Sequence, residues 1–193
     1  MKILKNHFYA MMSRMKNIYR WGLMRNTRRE NLSEHSLEVA QIAHALAIIK
    51  NSRFSGTVNA DSVATAAMYH DTSEIITGDM PTPIKYYNNE IKDAYKQIEQ
   101  TAEKRLIELL PEDFKSTFEK IYNPDSETKK LIKAADKLSA LIKCIEEKNM
   151  GNREFCVAEQ TLRKAILDLN LPEVNVFLEE FIPSFSLTLD ELK

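Results

Sequence analysis

The residues best suited to chemistry in this chain are an adjacent histidine and aspartate, His70 and Asp71. They follow an apolar run from Val63 to Met68, which predicts that the pair emerges from a buried helix rather than from a solvated loop. A buried carboxylate needs compensation for its lost hydration, and a metal ion shared with a neutral imidazole supplies it. The pair therefore indicates a metal site.

Glu74 lies close enough in sequence to act beside this pair. If the helix continues past His70, Glu74 follows four residues later on the same face. This spacing predicts a proton-transfer group next to two ligand candidates.

Two further ligand candidates, His35 and Asp136, lie far from the pair in sequence. His35 falls in the first turn of one predicted helix, and Asp136 interrupts the apolar stripe of another. Taken alone, such a histidine is usually a hydrogen-bonded core residue, and such an aspartate is usually solvated or paired with a lysine. Both candidates gain weight only in combination with the His70–Asp71 pair.

Two polar segments offer groups for a ligand. Arg20 stands beside Trp21, the only tryptophan, and a guanidinium next to an aromatic face suits a phosphate attached to a ring system. The same two residues also fit a purely structural interpretation, in which Arg20 pairs with a nearby carboxylate at the surface and Trp21 anchors its loop to the core. Asp79 and Thr82, in a Gly- and Pro-containing turn, supply donors and acceptors for a sugar or base, although that composition also explains a plain helix-to-helix turn.

The composition predicts an all-α, single-domain helical bundle spanning residues 1–193. Glycine is scarce, with four residues, and apolar side chains recur at three- and four-residue spacing. Ser33 is predicted to cap the second helix, and Asn59 or Asp61 the third. The predicted helices cover about 6–19, 33–50, 88–110, 127–147, 152–169 and 172–181, and a further helix, the third, carries the apolar run 63–68 and delivers His70 and Asp71.

Charge and targeting signals bear on partners and location. With 27 basic and 28 acidic residues, the chain has no net field to attract a nucleic acid polymer or an anionic membrane. Cys144 and Cys156 lack the spacing of a zinc cluster and are interpreted as core thiols in a reducing compartment. No secretory signal is visible in residues 1–7, and no run of apolar residues is long enough to span a membrane. A soluble, cytoplasmic protein is predicted.

The order His35, His70–Asp71, Asp136 resembles that of the HD-domain metal-dependent phosphohydrolases. The surrounding residues resemble, more narrowly, the YfbR-type 5′-deoxynucleotidases. The segments that carry this resemblance are Arg20–Trp21, residues 31–36, 68–71, Glu74, 77–85, 135–136 and 181–185. The chain departs from the expected pattern at Met80, where another aliphatic residue is more usual, and at Ile84, where valine is expected. Neither departure removes a ligand, but Met80 could alter the shape of the pocket.

The resemblance implies hydrolysis of deoxyribonucleoside 5′-monophosphates to deoxynucleoside and phosphate, by a homodimer with one divalent ion per chain. It implies that Arg20 holds the phosphate, and that Glu74 either orients the attacking water or protonates the leaving oxygen. The implied metal ligands are His35, His70, Asp71 and Asp136. The implied substrate contacts are Arg20, Trp21, Asp71, Asp79, Met80, Pro81, Thr82 and Asp136. The resemblance implies cobalt or manganese foremost, with zinc, iron, copper or magnesium as alternatives. Two imidazoles with two carboxylates suit several of these ions, and affinity alone does not choose among them.

Three alternatives remain open at the level of sequence. An HD phosphodiesterase or a nucleotide pyrophosphohydrolase would use the same ligands, and a non-catalytic, nucleotide-sensing helical scaffold would hold the metal only structurally. HD enzymes that hold two metal ions need further ligands, commonly histidines. Beyond His35 and His70, the chain has only the histidines His7 and His44, which favours one metal ion over two. A single nearby arginine suits a monophosphate better than a triphosphate.

Overall fold

A computed structural model describes residues 6–85 and 87–193 as helices joined by short loops. The helices are α1 (Phe8–Met12), α2 (Leu32–Arg53), α3 (Ala60–Met68), α4 (Glu74–Thr77), α5 (Thr82–Lys85), α6 (Asn89–Glu108), α7 (Glu112–Tyr122), α8 (Ser126–Asn149), α9 (Cys156–Leu167) and α10 (Pro172–Glu180). Short 3₁₀ helices cover Ser13–Asn17, Arg153–Phe155 and Ile182–Ser186. The described residues contain no strand, which confirms the prediction of an all-α fold.

The N-terminal segment and the apolarity of the helices relate to the predictions on targeting and membranes. Residues 1–7 are predicted to contain no secretory signal, and residues 1–5 lie outside the part of the chain that the structure describes. Within the described residues, no helix combines the length and apolarity that crossing a membrane requires.

Helix α2 begins one residue earlier than predicted and is capped by a different side chain. The Asn31 side-chain oxygen accepts hydrogen bonds from the backbone N–H groups of Ser33 at 3.0 Å and Glu34 at 3.1 Å. The Glu34 carboxylate accepts in return from the Asn31 backbone N–H at 3.2 Å. This reciprocal pattern is a capping box. The prediction that Ser33 caps the helix is therefore wrong, and Ser33 lies inside the first turn.

His70 and Asp71 lie in turns after α3 has ended, so the prediction that they emerge on a helix is wrong. The Thr72 side chain donates to the Tyr69 carbonyl at 2.9 Å and shares a 2.8 Å hydrogen bond with the Tyr122 hydroxyl. Glu74 then begins α4, with its N–H bonded to the Asp71 carbonyl at 3.0 Å. The position of Glu74 is thus set by a tight turn and not by helical i, i+4 spacing.

The helices group into two compact units, each with its own apolar core. The first unit comprises the described residues of Met1–Met24, Arg29–Ser36 and Tyr69–Pro124. Its core contains Phe8, Leu106, Leu110 and Phe118, and the rings of Phe8 and Phe118 meet edge to face at 4.8 Å. The prediction of a single domain stays a prediction.

The second unit comprises Arg25–Arg28, Leu37–Met68 and Asp125–Lys193. Its core is built mainly by α2, α3, α8 and α10, and α8 contributes the fully buried Leu131, Leu138 and Leu141. The His44 side chain on α2 is 41% exposed, and its Nε2 lies 3.6 Å from an exposed Asp61 carboxylate.

A buried carboxylate in the second unit fixes the segment 25–28. Glu147 on α8 is fully buried and accepts hydrogen bonds from the Thr27 N–H at 2.9 Å, the Thr27 hydroxyl at 2.6 Å and Asn152 at 2.7 Å. It also pairs with Lys143 one turn away. Burial alone would raise the pKa of Glu147, but these hydrogen bonds outweigh it and hold the pKa well below its ordinary value.

Replacing Glu147 is expected to be strongly destabilising. Glu147→Ala should lower the free energy of unfolding by about 3–5 kcal/mol at neutral pH, because it leaves the Lys143 charge buried without its carboxylate. The loss should shrink as the pH falls below the ordinary carboxyl range, because the Glu147 carboxylate of the unfolded wild type then takes up a proton while the native one, with its lowered pKa, stays charged. Urea unfolding at several pH values measures both effects. Glu180→Ala, which breaks an exposed pair with Arg53, is the control and should barely move the midpoint.

Candidate metal centre

Four predicted ligands come together in the structure. His35, His70, Asp71 and Asp136 each offer a nitrogen or oxygen atom, and these atoms lie within 4.8 Å of one another. The rings of His35 and His70 are 5.4 Å apart between centroids. One Asp71 oxygen, Oδ2, lies 3.0 Å from His70 Nε2 and 3.6 Å from His35 Nε2. The two imidazoles therefore face the same carboxylate oxygen.

Asp71 remains ionised in this setting. Burial alone would raise its pKa, but the adjacent His70 and His35 outweigh burial and hold the pKa of Asp71 well below its ordinary value. The cluster therefore combines imidazole nitrogens with carboxylate oxygens, at least one of them charged. This donor set fits a first-row divalent cation, and no thiolate is present to favour a purely soft metal.

Arg20 joins the cluster through a backbone pairing. The Arg20 N–H donates to the Glu30 carbonyl at 3.0 Å, beside the isolated bridge between Tyr19 and Asn31. The loop between these residues is thereby closed at its base. The Arg20 guanidinium lies 3.4 Å from Asp71 Oδ2 through Nη1 and 3.4 Å from Glu30 Oε2 through Nε.

Glu30 is a residue that the sequence argument missed. Its Oε2 accepts a hydrogen bond from Trp21 Nε1 at 2.9 Å, and its Oε1 lies 3.8 Å from His35 Nδ1. One carboxylate thus adjoins Arg20, Trp21 and His35 at once. The sequence signal was weak, because an acidic residue just before a helix is ordinary and its pairing with residue 20 crosses a loop.

The backbone of Trp21 adopts a conformation that side chains other than glycine rarely take. Its φ is +59°, in the left-handed region. Such a residue costs about 1–3 kcal/mol and persists only where the surroundings hold it. The bond to Glu30 and the Met24 N–H, which donates to the Trp21 carbonyl at 2.9 Å, are two such restraints.

Glu74 is buried, with 4% of its surface exposed, and its Oε2 has no hydrogen-bond partner among the described residues. Burial, together with the charges of Asp71 and Asp79, raises the pKa of Glu74 to about 9, although Arg20 and Lys85 partly offset the rise. In the absence of a bound cation, Glu74 therefore holds a proton at neutral pH.

The turn after α4 brings a further carboxyl group near the cluster. Gly78 has φ +74°, which favours glycine. Asp79, the next residue, is half-buried, and burial raises its pKa while Arg20 opposes the rise. Met80 and Pro81 are also half-buried, and Thr82 is exposed. Thr82–Lys85 then forms the single turn α5.

Lys85 is a second cation that the sequence argument did not assign. Its ammonium group lies 2.8 Å from Glu99 and 4.9 Å from the centre of the Tyr95 ring. Glu99 raises the pKa of Lys85 against the effect of burial, so the side chain stays charged. Its charge partly offsets the rise in the pKa of Glu74 and of Asp79. Lys85 therefore contributes to the positive potential around these carboxyls.

The family model and the relatives that match this sequence point to the same protein family. Residues 7–185 match the model for the 5′-deoxynucleotidase YfbR-like family. A 5′-deoxynucleotidase of Yersinia pestis strain Pestoides F is 52% identical over 191 residues, covering 97% of this chain and 96% of the relative. A 5′-deoxynucleotidase of Yersinia pseudotuberculosis serotype O:1b matches with the same identity and coverage.

Solved structures show the same fold. An HD-domain phosphohydrolase of Listeria innocua superposes with a TM-score of 0.81 at 25% identity, covering 93% of this chain and 88% of the other. The HD phosphohydrolase DatZ of cyanophage S-2L, solved with dA and one catalytic Zn²⁺, superposes with a TM-score of 0.64 at 19% identity, covering 91% of this chain and 96% of the other. From the full-length sequence match and the shared fold, the chain belongs to the YfbR-like 5′-deoxynucleotidase family.

Proposed function

We propose that this protein is a metal-dependent 5′-deoxynucleotidase, which hydrolyses deoxyribonucleoside 5′-monophosphates to deoxynucleoside and phosphate. The observation that carries the proposal is the convergence of His35, His70, Asp71 and Asp136, with the cation Arg20 and the protonated Glu74 beside the cluster. Relatives named 5′-deoxynucleotidases, 52% identical over almost the whole chain, support the same activity.

The four clustered residues would hold one divalent cation per chain. Their mixed nitrogen and oxygen donors suit cobalt or manganese, and zinc, which DatZ contains, fits the same set. When bound, the cation polarises a phosphoryl oxygen and lowers the pKa of bound water. Because Asp71 is already ionised in the cluster, it need not lose a proton before it binds the cation.

Arg20 and Glu74 would perform the remaining steps. The Arg20 guanidinium, next to Asp71, would bind the phosphate and offset the charge that develops on its oxygens. Glu74, which holds a proton at neutral pH in the absence of a bound cation, would donate a proton to the leaving 5′ oxygen. Of the two roles that the sequence left open for Glu74, we propose that of general acid, which requires a carboxyl group that carries a proton.

Trp21 and the segment 79–82 would contact the nucleoside. The Trp21 ring is only partly buried and is held by Glu30, so that one face can pack against the sugar, where a 2′ hydroxyl would clash. The Asp79 carboxyl and the backbone of Met80, Pro81 and Thr82 would supply polar contacts. We also infer a cytoplasmic homodimer, as the family resemblance implies, and no membrane or nucleic acid polymer as a partner, as the balance of 27 basic and 28 acidic residues indicates.

The substrate preference is tested directly by phosphate release. With Co²⁺ or Mn²⁺ added, deoxyribonucleoside monophosphates should be hydrolysed at least about tenfold faster than their ribo counterparts, a difference of about 1.4 kcal/mol in transition-state binding. Cyclic nucleotides and triphosphates serve as controls. Preferential turnover of either would favour a phosphodiesterase or a pyrophosphohydrolase, and a folded protein inactive with every metal would favour a sensing scaffold.

The ligand assignment is tested by metal content. His70→Ala and Asp136→Ala should each abolish stoichiometric binding of Co²⁺, because each removes one of four donors. Elemental analysis after dialysis measures the bound metal. His44→Ala is the matched control, since His44 is a partly exposed histidine outside the cluster, and it should bind as much metal as the wild type. Full metal retention by the Asp136 variant would remove that residue from the ligand set.

The proton on Glu74 is tested by the stability of the metal-free protein. Because the native pKa is raised to about 9, unfolding releases this proton wherever the pH exceeds the ordinary carboxyl range, and native stability falls as the pH rises toward 9. Glu74→Gln should therefore raise the melting temperature, by more at pH 8 than at pH 5. Glu119→Gln, at an exposed position on α7, is the control. An equal effect of Glu74→Gln at both pH values would contradict the raised pKa.

A further inference from the structure

Glu30 occupies a position that the proposed reaction does not use directly. Its carboxylate is mostly buried, with 12% of the side chain exposed, and both of its oxygens point toward groups of the site. Oε2 accepts from Trp21 Nε1 at 2.9 Å and lies 3.4 Å from Arg20 Nε. Oε1 lies 3.8 Å from His35 Nδ1. A solvated carboxylate that merely ended a loop would not need all three neighbours.

The contact with His35 orients a metal ligand. His35 is fully buried, and its Nε2 is the nitrogen that faces Asp71. A negative charge beside Nδ1 favours the tautomer that carries its hydrogen there, which leaves the Nε2 lone pair directed toward the cluster. The 3.8 Å between Oε1 and Nδ1 is longer than a hydrogen bond, so Glu30 acts on the His35 ring through its negative charge. Loss of such a group from the surroundings of a ligating histidine commonly weakens metal binding by about 10- to 100-fold.

On its other side, the Glu30 carboxylate contacts Trp21 and orients its indole ring. The tryptophan backbone has φ +59°, a strained value that its surroundings must hold. The indole N–H bonds to Glu30, and the backbone of the neighbouring Arg20 is bonded to the Glu30 carbonyl at 3.0 Å. Both the side chain and the backbone of Glu30 therefore restrain the Arg20–Trp21 segment.

We propose that Glu30 is a positioning residue that fixes the Trp21 indole and the His35 ring through one carboxylate, and so sets the nucleoside contact and the metal site together. This proposal rests on the proposed function in taking Trp21 as a nucleoside contact and His35 as a ligand. Because each oxygen of Glu30 faces a different neighbour, the two effects are separable by substitution.

Two variants separate the effects, and Trp21, as the only tryptophan, gives a site-specific optical signal. In Glu30→Gln, the amide oxygen can still accept from the indole, but the negative charge is gone. This variant should keep the emission maximum of Trp21 while binding Co²⁺ about 10- to 100-fold more weakly. In Glu30→Ala, both contacts are lost, so that the emission should shift to the red, acrylamide quenching should increase and Co²⁺ affinity should fall similarly.

Both measurements are made on the full chain without nucleotide, with Co²⁺ alone as the metal probe. Glu154→Gln is the matched control, because it removes the carboxylate paired with Arg25 in the same loop without a contact to Trp21, and it should change neither signal. Unchanged emission in Glu30→Ala, or unchanged Co²⁺ affinity in Glu30→Gln, would overturn the proposal. If Glu30→Ala does not fold, the Co²⁺ affinity of Glu30→Gln decides.

These outcomes are independent of whether the protein is a nucleotidase. A wild-type protein that releases no phosphate from any deoxynucleotide would refute the proposed function, while the fluorescence and Co²⁺ signals would still report on Glu30. Conversely, an active enzyme whose Glu30 variants leave both signals unchanged would refute only the positioning role.

Discussion

The site depends on keeping one carboxylate charged where little water reaches it. Asp71 achieves this because His70 and His35, both within 3.6 Å of its Oδ2, outweigh the effect of burial on its pKa. The Arg20 guanidinium lies 3.4 Å from the same oxygen. Glu74, three residues later, experiences the opposite balance. Its burial and the charge of Asp71 raise its pKa to about 9. Two nearby carboxyl groups are thus driven to different protonation states in the metal-free protein, a pattern that is typical of sites that use one carboxylate as an anion and another carboxyl group as an acid.

These features are costly to the folded state. A buried carboxyl oxygen of Glu74 lacks a hydrogen-bond partner among residues 6–85 and 87–193, and Trp21 holds a left-handed backbone. Both belong to the first unit, whose apolar core is small and built around Phe8 and Phe118. Local strain and unsatisfied polarity gathered at one place are typical of functional sites, where activity and stability oppose each other.

Much of the fold and part of the site could be predicted from the sequence. The helical class followed from composition and periodicity, and the group of His35, His70, Asp71 and Asp136 was predicted and is found together. Helix ends were predicted less well. The cap of α2 is Asn31 because its side chain bonds two backbone N–H groups, and the break after α3 is secured by hydrogen bonds that include Tyr122, some fifty residues away. Neither choice is encoded in local periodicity.

The sequence by itself determined the residue types capable of the chemistry, the helical class and the family to which the chain belongs. Only the tertiary structure decided that His70 and Asp71 lie in a turn, that Glu74 is buried, and that Glu30 stands behind Trp21 and His35. The physical reason is that burial and electrostatic neighbours are properties of packing. A glutamate before a helix and one after a histidine–aspartate pair look alike in sequence, but only their surroundings place one beside Arg20, Trp21 and His35 and raise the pKa of the other to about 9.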